Sequence, residues 1–294
     1  MDIRTGPEPQ VQVLLDGLRT ERLTRIVDVG ANPINPPPYL GLLEAGRCEV
    51  VGFEPQAEAL ARLNETKGPH ETYLPHAVGD GGRKTLNLYA SGGFTSLFLP
   101  DVAAMRYLGK PKWGKVTGAV PLQTVALDDC PEVGRFDLLK IDIQGGEVMV
   151  FEGARTLMST ALAVITEVRF FPLYEGEPML GGADTALRSQ GFFPHKFMFS
   201  KAVALPSSQL PRLRFRKMRD QLLDGDAVYL RDLRQPARLT DEELRHLAIL
   251  AAGVFQSHSL VLWALDHLVQ RNAVAEDLPQ RYADALPAAL RADG

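Results

Sequence analysis

The stretch Ile26-Val27-Asp28-Val29-Gly30-Ala31-Asn32 constrains the fold of this chain more than any other. Its first four residues are apolar except for Asp28, and a short β-branched run of this kind is typical of a fully buried strand. Gly30 and Asn32 both tolerate the positive φ that a sharp turn requires. A buried strand that ends in a glycine turn is the opening of a doubly wound α/β sheet, in which ligands bind beyond the carboxyl ends of the strands.

The turn after this strand lacks the pattern of a dinucleotide site. Such sites carry G-x-G-x-x-G, whose glycines let the backbone approach a pyrophosphate. Here Gly30 is followed by Ala31 and Asn32, and Pro33 removes an amide donor that a phosphate would need. A nicotinamide-dependent oxidoreductase is therefore disfavoured. A ligand without phosphate, such as S-adenosylmethionine, needs only the close approach at Gly30.

An acidic residue follows the second predicted strand, residues 49–53. Glu54-Pro55 comes directly after Phe53. A carboxylate at the end of the second strand can accept hydrogen bonds from two ribose hydroxyls. The alternative is that Glu54-Pro55 simply begins the next helix.

A third motif, Lys140-Ile141-Asp142-Ile143-Gln144-Gly145-Gly146-Glu147, completes a recognisable series. Together with Asp28-Val29-Gly30-Ala31-Asn32 and Gly52-Phe53-Glu54-Pro55, it resembles the FkbM family of class I S-adenosylmethionine-dependent methyltransferases. The resemblance covers roughly residues 24–232. It implies an α/β, Rossmann-like class I methyltransferase fold, with a seven-stranded mostly parallel sheet and helices on both faces. The chain departs from the family pattern at Ile34, where a second glycine is usual, and at Gln144, where glutamate is usual.

The motifs and the resemblance together imply a cofactor site for S-adenosylmethionine. In the family fold the third strand, predicted here at residues 72–78, ends beside the adenine, and a small-residue loop at 91–97 lies near the cofactor. Asp80-Gly81 can equally be a simple turn. The predicted cofactor-binding residues are Asp28, Gly30, Ala31, Asn32, Glu54, Pro55, Ala77, Val78, Asp80, Ser96 and Asp142.

Two carboxylates are candidates for the chemistry. Asp142 ends the predicted fourth strand and Glu167 lies near the end of the fifth, so both belong at the same edge of the sheet. A hydroxyl is a weak nucleophile, and either acid could act as its general base. Together they could also hold a divalent cation, although no metal ligand is assigned. His76 and His195 are further candidate bases.

Composition excludes several functional classes. The formal net charge is -4, which does not favour a nucleic-acid partner. Cys48 and Cys130 show no metal-binding spacing, and two isolated cysteines are typical of a reducing cytoplasm. No run of eighteen apolar residues occurs, so a membrane span is not expected.

The sequence divides into three parts. Residues 1–23 are expected to form an N-terminal helix or lid, and residues 24–235 the methyltransferase domain. Within it, the basic insertion 206–225 is either a clamp for an anionic substrate or a solvated hairpin. Residues 236–294 are predicted to be a helical appendage that begins with a capping box. Its apolar stripes either pack on the domain or support a homodimer or a partner.

The resemblance to the FkbM family implies methyl transfer, most simply to a hydroxyl of a carbohydrate or secondary metabolite, with a small-molecule or glycan acceptor. The alternative is a non-catalytic methyltransferase-like binding module that acts through its helical tail. Family analogy alone does not identify the acceptor.

Overall fold

The computed structural model of the protein describes residues 7–292. In this range the strands are β1 (Thr24–Val29), β2 (Cys48–Phe53), β3 (Glu71–Leu74), β4 (Ala77–Val78), β5 (Arg83–Tyr89), β6 (Val116–Val125), β7 (Leu138–Ile141), β8 (Ala163–Arg169), β9 (Phe192–Val203) and β10 (Gln221–Arg231). The helices are α1 (Pro9–Gly17), α2 (Leu40–Glu44), α3 (Ala57–Thr66), α4 (Val102–Tyr107), α5 (Glu147–Glu152), α6 (Arg155–Met158), α7 (Leu180–Ser189), α8 (Asp241–Gly253), α9 (His258–Gln270) and α10 (Leu278–Asp284).

Seven strands form the central sheet in the order β3-β2-β1-β7-β8-β10-β9. All of them run in the same direction except β10, which is antiparallel to both β8 and β9. The carboxyl ends of β1, β2, β7 and β8 therefore meet at one edge of the sheet. This mostly parallel sheet with helices on both faces confirms the fold that the sequence predicts.

The central strands are apolar because both of their faces are covered. Helices α5 and α7 cover one face, where Val150, Phe151 and Leu187 pack with strand residues such as Val27 and Leu139. Parallel strands that are buried on both faces are typically continuous runs of Val, Ile and Leu. A charged side chain inside such a strand therefore needs a partner of opposite charge or a hydrogen bond. The strands of this sheet contain several charged side chains.

Helices from both ends of the chain cover the other face of the sheet. The predicted capping box is present, because the Thr240 side chain accepts from the Glu243 N–H and the Glu243 side chain accepts from the Thr240 N–H. The apolar residues of α8 and α9 then pack in the same cluster as Ile26 of β1 and Leu138 of β7. The apolar faces of the C-terminal helices, which could otherwise support a homodimer, therefore pack against the sheet of the same chain.

Helix α1 packs against the C-terminal helices. A Cβ added at Gly17 of α1 would lie only 2.3 Å from a methyl group of Leu278 in α10, which shows how closely the two helices approach. Leu14 of α1 belongs to the same apolar cluster as α8 and α9. The described part of residues 1–23 is thus part of this helical layer, and residues 1–6 lie outside the described residues.

A smaller sheet corrects the predicted third strand at 72–78. This stretch divides into β3, which pairs with β2 in the central sheet, and β4, which pairs with β6. The small sheet has the order β4-β6-β5. The chain leaves the central sheet at Leu74, and Pro75 follows, which has no N–H with which to extend the strand pairing.

The basic insertion is shorter than the predicted 206–225. Strand β10 begins at Gln221 and pairs with β9 from that residue onward, so residues 221–225 belong to the sheet. The connection between β9 and β10 leaves the sheet at the edge where β8 ends. None of the helices within residues 7–292 is long and apolar enough to cross a membrane.

Candidate active site

Gly30 brings the turn after β1 directly against the end of β7. Its φ is 83°, and a Cβ at this position would lie 2.2 Å from the carbonyl oxygen of Asp142. The N–H groups of Gly30 and Ala31 both donate to the carbonyl of Phe53, at 3.1 Å each. Glycine is therefore required for this turn, which is fixed to the ends of both neighbouring strands.

A buried ion pair supports the turn from below. Asp28 of β1 lies 3.0 Å from Lys140 of β7, and the Tyr39 hydroxyl donates to the other Asp28 oxygen at 2.6 Å. Burial alone would lower the pKa of Lys140, but Asp28 and Asp142 outweigh it and raise that pKa. Asp28 is only 2% exposed, so its predicted place at the cofactor site is one of support beneath the turn.

Glu54 lies at the carboxyl end of β2, as the sequence predicts. Its N–H donates to the carbonyl of Leu74 at 3.1 Å, which holds the residue between the ends of β2 and β3. One oxygen of its carboxylate accepts from the Gln56 N–H at 2.8 Å. Burial raises the pKa of Glu54, and the hydrogen bond from Gln56 partly offsets that effect. Pro55 follows at the entrance to α3.

The residues around this turn fit S-adenosylmethionine. The side-chain oxygen Oδ1 of Asn32 is buried, and no hydrogen-bond donor for it lies within residues 7–292. A buried acceptor without a donor costs free energy unless a ligand supplies one. Asn32 could accept from the amine of the cofactor and Glu54 from its ribose hydroxyls.

The candidate adenine contacts lie in the small sheet. Ala77 and Val78 form β4, and the next residue, Gly79, donates its N–H to the Val125 carbonyl at 2.9 Å. The Asp80 carboxylate accepts from Lys84 at 2.6 Å and from the Gly82 N–H at 2.9 Å, and the pKa of Asp80 is lowered by these bonds. The turn alternative thus accounts for the Asp80 side chain, whereas a contact of Ala77 and Val78 with adenine stays a prediction.

The loop after β7 has a left-handed backbone held by a buried glutamate. Gln144 and Gly145 have φ values of 60° and 105°. Glu147 accepts from the N–H groups of Ile143 and Gly145 at 3.0 to 3.2 Å. Burial raises the pKa of Glu147 to about 7, although hydrogen bonds from backbone N–H groups, including that of Ile143, oppose the shift.

Gln144 links the two sides of the candidate site. Its amide nitrogen donates to Asp142 at 3.0 Å, while its amide oxygen accepts from Arg169 at 3.2 Å and from the Tyr174 hydroxyl at 3.3 Å. A glutamate could accept the last two bonds, but it would oppose the charge of Asp142 instead of donating to it. Glutamine at position 144, where the family pattern has glutamate, therefore allows one side chain to bridge Asp142 on one side and Arg169 with Tyr174 on the other.

Three carboxylates form a row across neighbouring strands at the edge of the sheet. Ile141 is in register with Thr166, so Asp142 follows β7 beside Glu167 of β8, one strand spacing of about 4.8 Å away. Asp226 of β10 pairs directly with Glu167. Burial and the charge of Asp142 raise the pKa of Asp226 to about 6. Burial also raises the pKa of Glu167 well above its ordinary value, an effect that Arg169 only partly offsets.

Arg169 is the centre of a buried charge network beside this row. Its guanidinium contacts Glu167 at 2.7 Å, Glu177 at 3.2 Å and Asp224 at 3.1 Å. Its side chain is 4% exposed, and its pKa is raised because these carboxylates outweigh the effect of burial. The network fixes Glu167 at the end of β8.

Ser96 holds the loop after β7, and the two candidate histidines lie away from the carboxylates. The Ser96 hydroxyl donates to the Gln144 carbonyl at 2.6 Å, so it is already used to hold the loop. His76 follows β3, which lies three strand spacings, or roughly 14 Å, from β7. His195 is near the start of β9, at the opposite edge of the sheet, and pairs with Ser257 at 2.9 Å. Neither histidine joins the carboxylate row.

Arg169, Asp226 and the pairing of Lys140 with Asp28 are not among the features that the sequence motifs predict. The sequence does contain a signal for these residues, because each is a charged side chain in an otherwise apolar strand. A buried charge requires a partner, so each of them predicts a nearby residue of opposite charge. Within residues 7–292, no group of three or more His, Cys, Asp or Glu side chains is arranged to hold a metal ion.

The strand order, the glycine turn and the acid after β2 define a class I methyltransferase fold. The family model of the methyltransferase FkbM domain matches residues 28–194, which is more than half of the chain. The chain belongs to the FkbM methyltransferase family, as its motifs indicate.

One curated relative and two solved structures illustrate the similarity. The 2-O-methyltransferase NoeI of Sinorhizobium fredii (strain NBRC 101917 / NGR234) is 27% identical over 140 residues, which are 45% of this chain and 58% of the relative. Magnesium protoporphyrin IX methyltransferase (ChlM) from Synechocystis PCC 6803, solved with bound SAM, has a TM-score of 0.38 and 10% identity over 76% of each chain. A putative S-adenosylmethionine-dependent methyltransferase from Listeria monocytogenes has a TM-score of 0.36 and 10% identity over 76% of this chain and 97% of that one.

Proposed function

We propose that this protein transfers a methyl group from S-adenosylmethionine to a hydroxyl of a carbohydrate or secondary metabolite. The observation that carries the proposal is the row of Asp142, Glu167 and Asp226 beside the turn at Gly30. Membership of the FkbM family and the similarity to a 2-O-methyltransferase support the O-methyl assignment.

The proposed cofactor site extends over the ends of β1 and β2. Gly30 and Ala31 provide the close backbone approach, Asn32 the unpartnered acceptor, and Glu54 with Pro55 the ribose side. Ala77 and Val78 remain the proposed adenine side. S-Adenosylmethionine supplies an activated methyl group on a sulfonium sulfur and leaves as S-adenosylhomocysteine.

The carboxylates would prepare the acceptor. We assign Asp142, which is exposed at the end of β7, to orient the acceptor hydroxyl, and Glu167 to take its proton as the new O–C bond forms and the S–C bond breaks. A base works best when its pKa is close to the working pH, and burial moves the pKa of Glu167 in that direction. Negative charge along the row also suits a donor that is positively charged.

The test is methyl transfer from labelled S-adenosylmethionine to a panel of mono- and oligosaccharides. Glu167→Gln is expected to lower kcat by at least about a hundredfold, because general-base catalysis contributes about 10²–10⁴. Asp142→Asn should lower kcat/KM, while Glu132→Gln, an exposed acid outside the row, should behave as the wild type. Wild-type turnover by Glu167→Gln would remove Glu167 from the role of base.

The non-catalytic alternative is not favoured by a specific observation. It would be supported by the departures from the family pattern at Ile34 and Gln144, if these disturbed the cofactor site, and by a helical tail free to dock a partner. Ile34 is 64% exposed, so its side chain does not occupy the interior of the turn, and the tail helices are packed on the sheet.

We also propose a cytoplasmic location. Cys48 and Cys130 are both free and buried, which suits a reducing compartment.

A further inference from the structure

The connection between β9 and β10 carries an unusual concentration of charge and apolar area. We define the β9–β10 loop surface as Arg212, Arg214, Arg216, Lys217 and Arg219 with Leu205, Leu213, Phe215, Met218 and Leu222. Every residue from 211 to 220 is exposed. This segment contains five basic residues and one acid, Asp220, in a chain whose formal net charge is -4.

The described residues of the chain do not neutralise the cations of this surface. None of the five forms a salt bridge with any residue in the described range 7–292. Arg216 and Arg219 instead lie near the ring of Phe215, each 6.0 Å from its centroid. The concentrated positive charge therefore faces solvent, where it can attract an anionic partner.

The apolar side chains of the same surface are also left in water. Leu213 is 48% exposed, Phe215 51%, Met218 40% and Leu222 45%. Three of these side chains lie in the loop and Leu222 lies at the start of β10. Large exposed apolar side chains that are close together in this way are typical of an interaction site. Apolar residues therefore alternate with cations along this surface.

The connection that leaves β9 also packs against the end of α4. Pro206 packs near Gly109, where an added Cβ would lie 3.1 Å from the proline ring. The helix before Gly109, α4, exposes Val102 and Tyr107, at 54% and 49%. Lys110 follows, with its ammonium 5.7 Å from the centroid of the Trp113 ring.

We propose that the β9–β10 loop surface docks the protein onto an anionic membrane. Arginine and lysine bind lipid phosphates electrostatically, while leucine, phenylalanine and methionine enter the boundary between headgroups and acyl chains. A nucleic acid would match the charge and could stack a base on Phe215. Leu213, Met218 and Leu222, however, offer a nucleic acid neither hydrogen bonds nor aromatic stacking, whereas all four apolar side chains suit the acyl boundary of a membrane. The proposal concerns peripheral binding and does not depend on the identity of the methyl acceptor.

Co-sedimentation with vesicles tests the proposal. The full chain is expected to bind vesicles of phosphatidylcholine and phosphatidylglycerol but not vesicles of phosphatidylcholine alone, and high salt should weaken binding. Arg214→Glu/Arg216→Glu should lower the partition coefficient by at least about 30-fold, the effect of losing two cations near an anionic surface. The matched control Arg47→Glu/Arg238→Glu changes two exposed arginines outside the surface by the same net charge and should bind as the wild type.

A second variant separates charge from apolar insertion. Leu213→Ser/Phe215→Ser keeps all five cations and is expected to lose most of the vesicle binding. Equal binding to both vesicle types, or an equal loss in the control variant, would overturn the proposal. So would binding of polyuridylate RNA that is tighter than vesicle binding and unchanged in Leu213→Ser/Phe215→Ser. Because no methyl donor is present, failure here is distinct from failure of the proposed methyl transfer.

Discussion

Arg169→Met removes the guanidinium that three buried carboxylates share. Glu167, Glu177 and Asp224 lie within 3.2 Å of it, and their side chains are 13%, 1% and 5% exposed. Methionine fills a similar volume without charge, so the variant mainly deletes the charge and its hydrogen bonds. The carboxylates then remain buried without that cation.

The expected loss of stability is large. Removing one partner of a buried ion pair costs about 3–5 kcal/mol, because an uncompensated charge is left behind. A domain has about 5–15 kcal/mol of unfolding free energy in total, so the variant should lose a substantial part of it. By contrast, Arg188→Met breaks a pair with Asp184 in which Arg188 is 45% exposed, and such surface pairs contribute about 0–1 kcal/mol.

The loss should depend on pH in a defined direction. Burial already raises the pKa of Glu167 and of Glu177, and Arg169 opposes both shifts. Without Arg169 these pKa values rise further in the folded state, so folding takes up protons. The variant should therefore be least stable at high pH and recover part of its stability as the pH falls toward the ordinary carboxyl value of 4.5.

Urea denaturation at about pH 8 and about pH 5.5 measures both effects. We expect Arg169→Met to differ most from the wild type at the higher pH, and Arg188→Met to stay close to it at both. Should Arg169→Met fail to fold, Arg169→Lys, which restores one charge but not the fork of donors, provides the intermediate case. A difference below about 1 kcal/mol, or one that grows as the pH falls, would refute the reasoning.

Three further predictions concern the turn, its supporting ion pair and the base. Gly30→Ala should lower the free energy of unfolding, measured by urea denaturation, by more than about 1–2 kcal/mol from backbone strain alone. Gly41→Ala is the control, since Gly41 lies in a helix with open space around it, and it should be neutral or stabilising. Lys140→Met should cost about 3–5 kcal/mol, because it leaves the charge of Asp28 buried without its cation. Adding Asp28→Asn should recover part of that loss, and additive losses would argue against the pair. Because the pKa of Glu167 is raised, kcat/KM should fall as the pH decreases, beginning at a pH above the ordinary carboxyl pKa of 4.5. If the Glu167→Gln variant showed the same acid-side fall in kcat/KM, a group other than Glu167 would be responsible for it.

The central sheet could be predicted because its determinants are local. The apolar strand before Gly30, the glycine turn itself and the acid at the end of β2 each follow from neighbouring residues. The sequence places Asp142 and Glu167 at one edge because parallel strands end together, and the register of β7 with β8 agrees. The capping box Thr240–Glu243 predicts the start of α8.

The remaining features depend on contacts between distant segments. The division of residues 72–78 into β3 and β4 depends on which partner strand each half meets, and β6 lies some forty residues further along the chain. The network around Arg169 joins β8, β10 and Glu177, which no local pattern relates. His195 is a plausible base from its residue type alone, and only the direction of β9 places it at the far edge of the sheet.

Calorimetric titration with S-adenosylmethionine tests the central claim most directly. The wild type and Glu58→Ala, which changes an exposed acid in the next helix, should bind the cofactor alike. Glu54→Ala should bind at least about tenfold more weakly, because hydrogen bonds to a charged group contribute about 1.5–3 kcal/mol. Absence of binding by the wild type, or equal affinity of the Glu54→Ala variant, would contradict a cofactor site across Gly30 and Glu54.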